Sequence, residues 1–108
     1  MACNYATLYN SPKGYVVWCK ECDTYQLAFL SSLVTFKNDE FKKFRRQIAI
    51  KINKAIAVPG NSKSIFLNIF SNNSRMVLTP GELEELNQML EEADTVHQTN
   101  ALLELFAL

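Results

Sequence analysis

The pattern that most restricts the fold of this chain is a strand–strand–helix unit that recurs at an offset of 42 residues. Val34-Thr35-Phe36 followed by Glu40-Phe41-Lys42-Lys43-Phe44 matches Met76-Val77-Leu78 followed by Glu82-Leu83-Glu84-Glu85-Leu86. Each half reads as a short hairpin and then a helix that opens Glu-apolar-x-x-apolar. In the second half Thr79 suits the N-cap, Pro80 the first helical position and Glu82 the carboxylate of a capping box. In the first half Asn38 or Asp39 starts the helix, with Glu40 in the first turn, where acids are favoured. Apolar residues then recur at helical spacing: Phe41, Phe44, Ile48, Ile52 and Ala55 in one helix, and Leu83, Leu86, Leu90 and Ala93 in the other. Any two capped amphipathic helices share some of this pattern, so a duplication of the unit and a chance likeness both stand.

Tyr5–Asn10 and Tyr15–Cys19 are strands, joined by the turn Asn10-Ser11-Pro12-Lys13-Gly14. Tyr25–Phe29 places Tyr25, Leu27 and Phe29 on one face, and Leu33–Phe36 follows after a short Ser31-Ser32 turn. Val58-Pro59-Gly60-Asn61-Ser62 ends the first helix. Ile65–Phe70 and Met76–Leu78 form the second hairpin. The expected fold class is α+β: an antiparallel sheet of about six strands with two main helices on one face. At 108 residues, 48% of them apolar, the chain is one domain with enough material for a core. It divides into a cysteine hairpin (1–23), a first strand–strand–helix unit (24–58) and a second one (64–108) with an apolar C-terminal helix.

Formal net charge is zero, but the charge is divided between the helices. Lys37 to Lys54 holds seven basic residues and two acids; Glu82 to Glu104 holds seven acids and no Lys or Arg. Two helices lying side by side and attracting one another account for this, and so does a basic face for an acidic partner. Nucleic acid is disfavoured: no aromatic or Asn/Gln interleaves with the exposed basic positions, and the acidic helix repels phosphate. No apolar run is long enough to span a bilayer, and Met1–Tyr5 lacks the pattern of a secretory signal, so a cytoplasmic setting is expected. On the basic helix, Ile50 falls opposite Phe41, Ile48 and Ile52, in water among Lys43, Arg46 and Lys54. A lone apolar residue ringed by cations is a candidate protein contact. At the C-terminus Leu102, Leu103, Leu105 and Phe106 cannot share one stripe. Either the tail tucks over the core or it offers a self-association surface, as in a homodimer.

Cys19-Lys20-Glu21-Cys22 is the one spacing with a known chemical use. The first hairpin brings Cys3 roughly opposite Cys22, with Cys19 three residues inside, so all three cysteines converge. Zinc takes four ligands, with thiolate preferred in structural sites. Cys3, Cys19 and Cys22 supply three; the fourth is missing, and His97 is the weak candidate, because its periodicity extends the buried stripe of Leu90 and Ala93. Thiol redox chemistry at Cys19 and Cys22 is the alternative. The pair lies between strands with no helix N-terminus aimed at it to lower a thiol pKa. Packing of three reduced cysteines explains the residues equally well. No catalytic motif is present elsewhere, and one histidine is too few for a triad or a catalytic metal, so the reading leans away from an enzyme.

The order Cys19-x-x-Cys22-x-x-x-Gln26-Leu27-x-Phe29, then a hairpin, then Glu40-Phe41-x-x-Phe44, resembles a family of short bacterial proteins of unknown function. That resemblance covers roughly Cys3 to Ile48 and implies a small cytoplasmic domain, with no functional residue to carry over. The expected function is a small non-enzymatic interaction or regulatory domain, with a zinc at the cysteines as its candidate metal and a protein partner or a second copy as its ligand.

Overall fold

The computed structural model describes residues 4–55, 62–70 and 73–107, with the side chains of Lys54 and Ala55 outside the description. The order of elements is β1 (Tyr5–Ser11), β2 (Gly14–Cys19), β3 (Thr24–Phe29), β4 (Ser32–Lys37), α1 (Asn38–Ala55), β5 (Ile65–Asn68), β6 (Arg75–Leu78) and α2 (Pro80–Phe106). The fold is α+β. Its six strands are divided, however, into an antiparallel four-stranded meander, β1-β2-β3-β4, and a separate hairpin, β5-β6.

The physical reason for the division lies in α1. The Gln47 side chain bonds both backbone groups of Asn68: its Nε2 donates to the carbonyl (3.1 Å) and its Oε1 accepts from the amide (2.9 Å). Lys51 Nζ donates to the Phe66 carbonyl. The outer edge of β5 is thus closed by helix side chains instead of by another strand. A lone hairpin is marginal in water; this one is held by burying Leu67, Ile69, Met76 and Leu78 in the common core.

The two strand–strand–helix units match position by position. Val34 and Phe36 are buried as are Met76 and Leu78, while Thr35 and Val77 are both exposed. Phe41, Phe44 and Ile48 are buried, as are their equivalents Leu83, Leu86 and Leu90. The caps match as well: Glu40 Oε1 accepts from the Lys37 amide (2.7 Å) and Glu82 Oε1 from the Thr79 amide (2.9 Å). Only the second unit completes the box, with Thr79 Oγ1 accepting from the Glu82 amide (3.1 Å).

Strand register follows from pleat and turn. Ser11 pairs with Gly14 and Tyr9 with Val16, but Thr7 pairs with Val17, because a bulge at Leu8 inserts one residue. The bulge lets Leu8 and Tyr9 both reach the core side. It also moves the far end of the hairpin by one residue from the expected register: Cys19 lies opposite Tyr5. Gly14, expected as turn punctuation, instead begins β2. The Leu30-Ser31 turn between β3 and β4 holds Leu30 at φ 56°, in the left-handed region. Both helices pack on the face carrying Val16, Trp18, Tyr25, Leu27, Phe29 and Phe36. A stacked pair, Tyr25 on Phe41 (ring centroids 4.1 Å apart), ties β3 to the start of α1.

At the C-terminus α2 continues without a break: it is one helix of 27 residues, about 40 Å long at 1.5 Å per residue. Its first half is buried through Leu83, Leu86, Met89, Leu90 and Ala93; every residue from Gln98 to Ala107 is exposed. The tail does not tuck over the core.

Candidate functional site

The cysteines are the first candidate. Cys19 ends β2 and is fully buried, its thiol 3.4 Å from Glu21 Oε2; Cys22 lies exposed in the β2–β3 turn. Cys3 lies outside the described residues. Among the described residues, no three His, Cys, Asp or Glu side chains are arranged to hold a metal ion. His97 is not brought to Cys19. Its half-buried ring stands edge-on against Trp18 (4.5 Å) and Tyr25 (6.0 Å), on the helix side of the sheet. Neighbouring strand residues point to opposite faces, so Cys19 points away from the side on which Trp18 meets His97. Cys19 is also absent from the main core cluster.

The second candidate is the cleft around His97. It has a volume of about 290 Å³ and lies between α1 and α2, with Tyr25, Phe41, Lys42, Arg45, Asp94 and His97 on its walls. Two of its charged groups pair with each other. Arg45 Nη1 lies 3.3 Å from Asp94 Oδ1, the one ion pair among the described residues that joins the basic helix to the acidic one. Both partners are about one-third exposed, so the pair contributes at most about 1 kcal/mol. Beyond the cleft, Asp23 accepts from Asn38 Nδ2 (2.8 Å) and Trp18 Nε1 (3.1 Å). These bonds, Asn38's first, hold its carboxyl below the usual aspartate range. Burial, with Asp23 and Asp94 nearby, pushes the Tyr25 phenol up. No nucleophile paired with a base is found here.

The third candidate is exposed apolar surface; Leu30 and Leu33 at the β3–β4 turn and the cross-strand pair Phe66 and Val77 are exposed as well, and two further groups include the residues expected from the sequence. One is the free end of α2: Leu102, Leu103, Leu105 and Phe106 are all more than half exposed, with Phe106 at 85%. The other surrounds Ile50, which is 55% exposed, as the helical spacing implied. Lys43 and Arg46 line a shallow groove with it, as expected, together with Gln47 and Lys51; the Lys54 side chain lies outside the described residues. The groove has one member that the sequence reading missed. Phe70, 42% exposed, comes from the end of the β5 segment and lies beside Ile50. The run Ile65-Phe66-Leu67-Asn68-Ile69-Phe70 is apolar at both parities, so alternation could not show which residues face out.

These features define a small α+β domain with a basic helix, an acidic helix and exposed apolar residues grouped at the end of α2 and around Ile50. None of its helices among the described residues is long and apolar enough to cross a membrane. The chain belongs to a family of unknown function (DUF6686), whose sequence pattern covers residues 1–106. No curated protein and no solved structure matches it.

Proposed function

We propose that this protein is a small non-enzymatic interaction domain that associates through the exposed end of α2. The observation that carries the reading is the cluster of Leu102, Leu103, Leu105 and Phe106 on the last turns of a continuous helix. Four large apolar side chains so close together exceed the scattered single residues usual on monomers, and mark an association site.

The setting proposed is the bacterial cytoplasm, with a protein partner or a second copy and no nucleic acid. A structural zinc at Cys3, Cys19 and Cys22 belongs to the same proposal; it requires a fourth donor other than His97. Elemental analysis with a thiol count tests it: one zinc per chain with masked thiols supports it, and metal-free protein with three reactive thiols ends it.

Sedimentation velocity over a hundred-fold concentration range tests the association itself. The wild-type chain is expected to shift to larger species as concentration rises. The double variant Leu102→Lys/Phe106→Lys is expected to stay monomeric with an unchanged melting temperature. A wild-type chain that is monomeric throughout overturns self-association.

A further inference from the structure

We infer that the end of α2 in one copy docks into the Ile50 groove of a second copy, so that the contact joins two different surfaces. This rests on the self-association proposed above and names what the tail meets. The groove has an apolar floor, Ile50 and Phe70, and a cationic rim, Lys43 and Arg46. Lys51 is turned to the Phe66 carbonyl. Among the described residues, neither Lys43 nor Arg46 is in an ion pair.

The tail has the complementary character. Leu102, Leu105 and Phe106 fall within about 100° of one another on the helix, at 100° per residue, and Leu103 widens that arc. Glu104 is the only charged side chain beyond Asp94; it lies 3.6 Å from Lys20 Nζ of the same chain, both side chains staying about two-thirds exposed, and no basic residue of α2 itself stands in the last turn. The negative end of the helix dipole and its last carbonyl groups are therefore uncompensated from within α2. An apolar helix end of negative polarity fits an apolar groove rimmed by cations. It fits a second tail less well, because two tails would bring like dipole ends together.

The alternative occupants do worse. The groove is too shallow and open to enclose a small molecule, which wants a concave pocket. A nucleic-acid strand would meet an apolar floor and the nearby acidic helix. Tail and groove are distinct surfaces of each copy, but the exchange is reciprocal: when each tail enters the other's groove, the interface as a whole is isologous and closes as a two-fold dimer.

Complementation between variants of the full-length chain tests this. Arg46→Glu/Ile50→Glu disables the groove and keeps the tail; Leu102→Lys/Phe106→Lys disables the tail and keeps the groove. All four positions are exposed, and circular-dichroism melts confirm that both variants fold. Each variant alone is expected to associate roughly ten-fold or more weakly than wild type. The equimolar mixture is expected to regain a one-to-one complex by sedimentation, because one intact tail then meets one intact groove. If the groove variant associates like wild type, or if the mixture stays monomeric, the inference is overturned while self-association stands. A wild-type chain that never associates removes both.

Discussion

Replacing Gly14 by Ala puts a single methyl group where the fold has no room for it. A Cβ at this position would lie 2.0 Å from the Ala28 carbonyl oxygen and 3.0 Å from its carbon, and 3.2 Å from Met89 Cε. The Met89 terminus can swing aside. The Ala28 carbonyl cannot, because it is backbone in the neighbouring strand, next to the Gly14–Phe29 pair. Relief requires β2 and β3 to separate at this end, which strains the bond from the Leu30 amide to the Lys13 carbonyl (3.1 Å). Overpacking of this kind costs about 1–3 kcal/mol, and a lost hydrogen bond adds about 1 kcal/mol. Removing glycine's freedom in the unfolded chain offsets about 0.5–1 kcal/mol. The net loss is roughly 2–3 kcal/mol, or roughly 10 °C in Tm for a domain of this length. Gly81→Ala is the control, since its Cβ would meet nothing closer than Thr79 Oγ1 at 4.0 Å. Thermal and urea melts followed by circular dichroism give both values. A Gly14→Ala protein that melts within about 2 °C of wild type would show that the overlap with Ala28 is relieved at no cost, for the change in Tm is set by that overlap.

Thr79→Ala removes the acceptor for the Glu82 amide and is expected to cost about 1 kcal/mol in a urea melt. Leu30→Gly relieves a left-handed backbone and is expected to raise stability by about 0.5–1 kcal/mol; a lower midpoint would show that the Leu30 side chain matters more than its φ. The pH dependence follows from Asp23 and Glu82, both held below the usual carboxyl range, Glu82 chiefly by its bond from Lys63. A depressed folded pKa stabilises above the unfolded value and is lost as pH falls through the folded one. Stability should therefore hold at neutral pH and decline below about pH 4. Asp23→Asn keeps an oxygen acceptor and tolerates φ 50°. Its deficit against wild type should shrink toward pH 2, and a constant deficit would assign the effect to geometry instead of charge.

Much of this fold was legible in the sequence because its signals are local. Capping by Thr79, Pro80 and Glu82, helical spacing from Phe41 to Ile48 and alternation in β3 and β4 depend on neighbours a few residues apart. The exposure of Ile50 followed from its angle on the helix alone. What failed to be legible depended on distant partners. The bulge at Leu8 changes the register at the cysteine end by one residue, and nothing near Leu8 in sequence announces it. His97 continues the buried stripe of its helix in periodicity, but only the packing of α2 on β2 shows that it meets Trp18.

Local pattern sufficed for the elements, their order, the division of charge between α1 and α2, and the repeated cap at Glu40 and Glu82. The split of the strands into four and two needed contacts between distant segments. That outcome depends on Gln47 and Lys51 reaching Asn68 and Phe66 across about twenty residues of chain, bonds that no local pattern encodes. Tertiary contacts also decide which apolar residues stay in water. The end of α2 meets the body of the fold through Lys20 and Glu104, 3.6 Å apart, yet Leu102, Leu105 and Phe106 stay exposed, and Phe70 joins Ile50 because the β5–β6 hairpin packs against α1. Burial is a property of what the folded chain brings near a residue, and hydrophobicity alone does not set it.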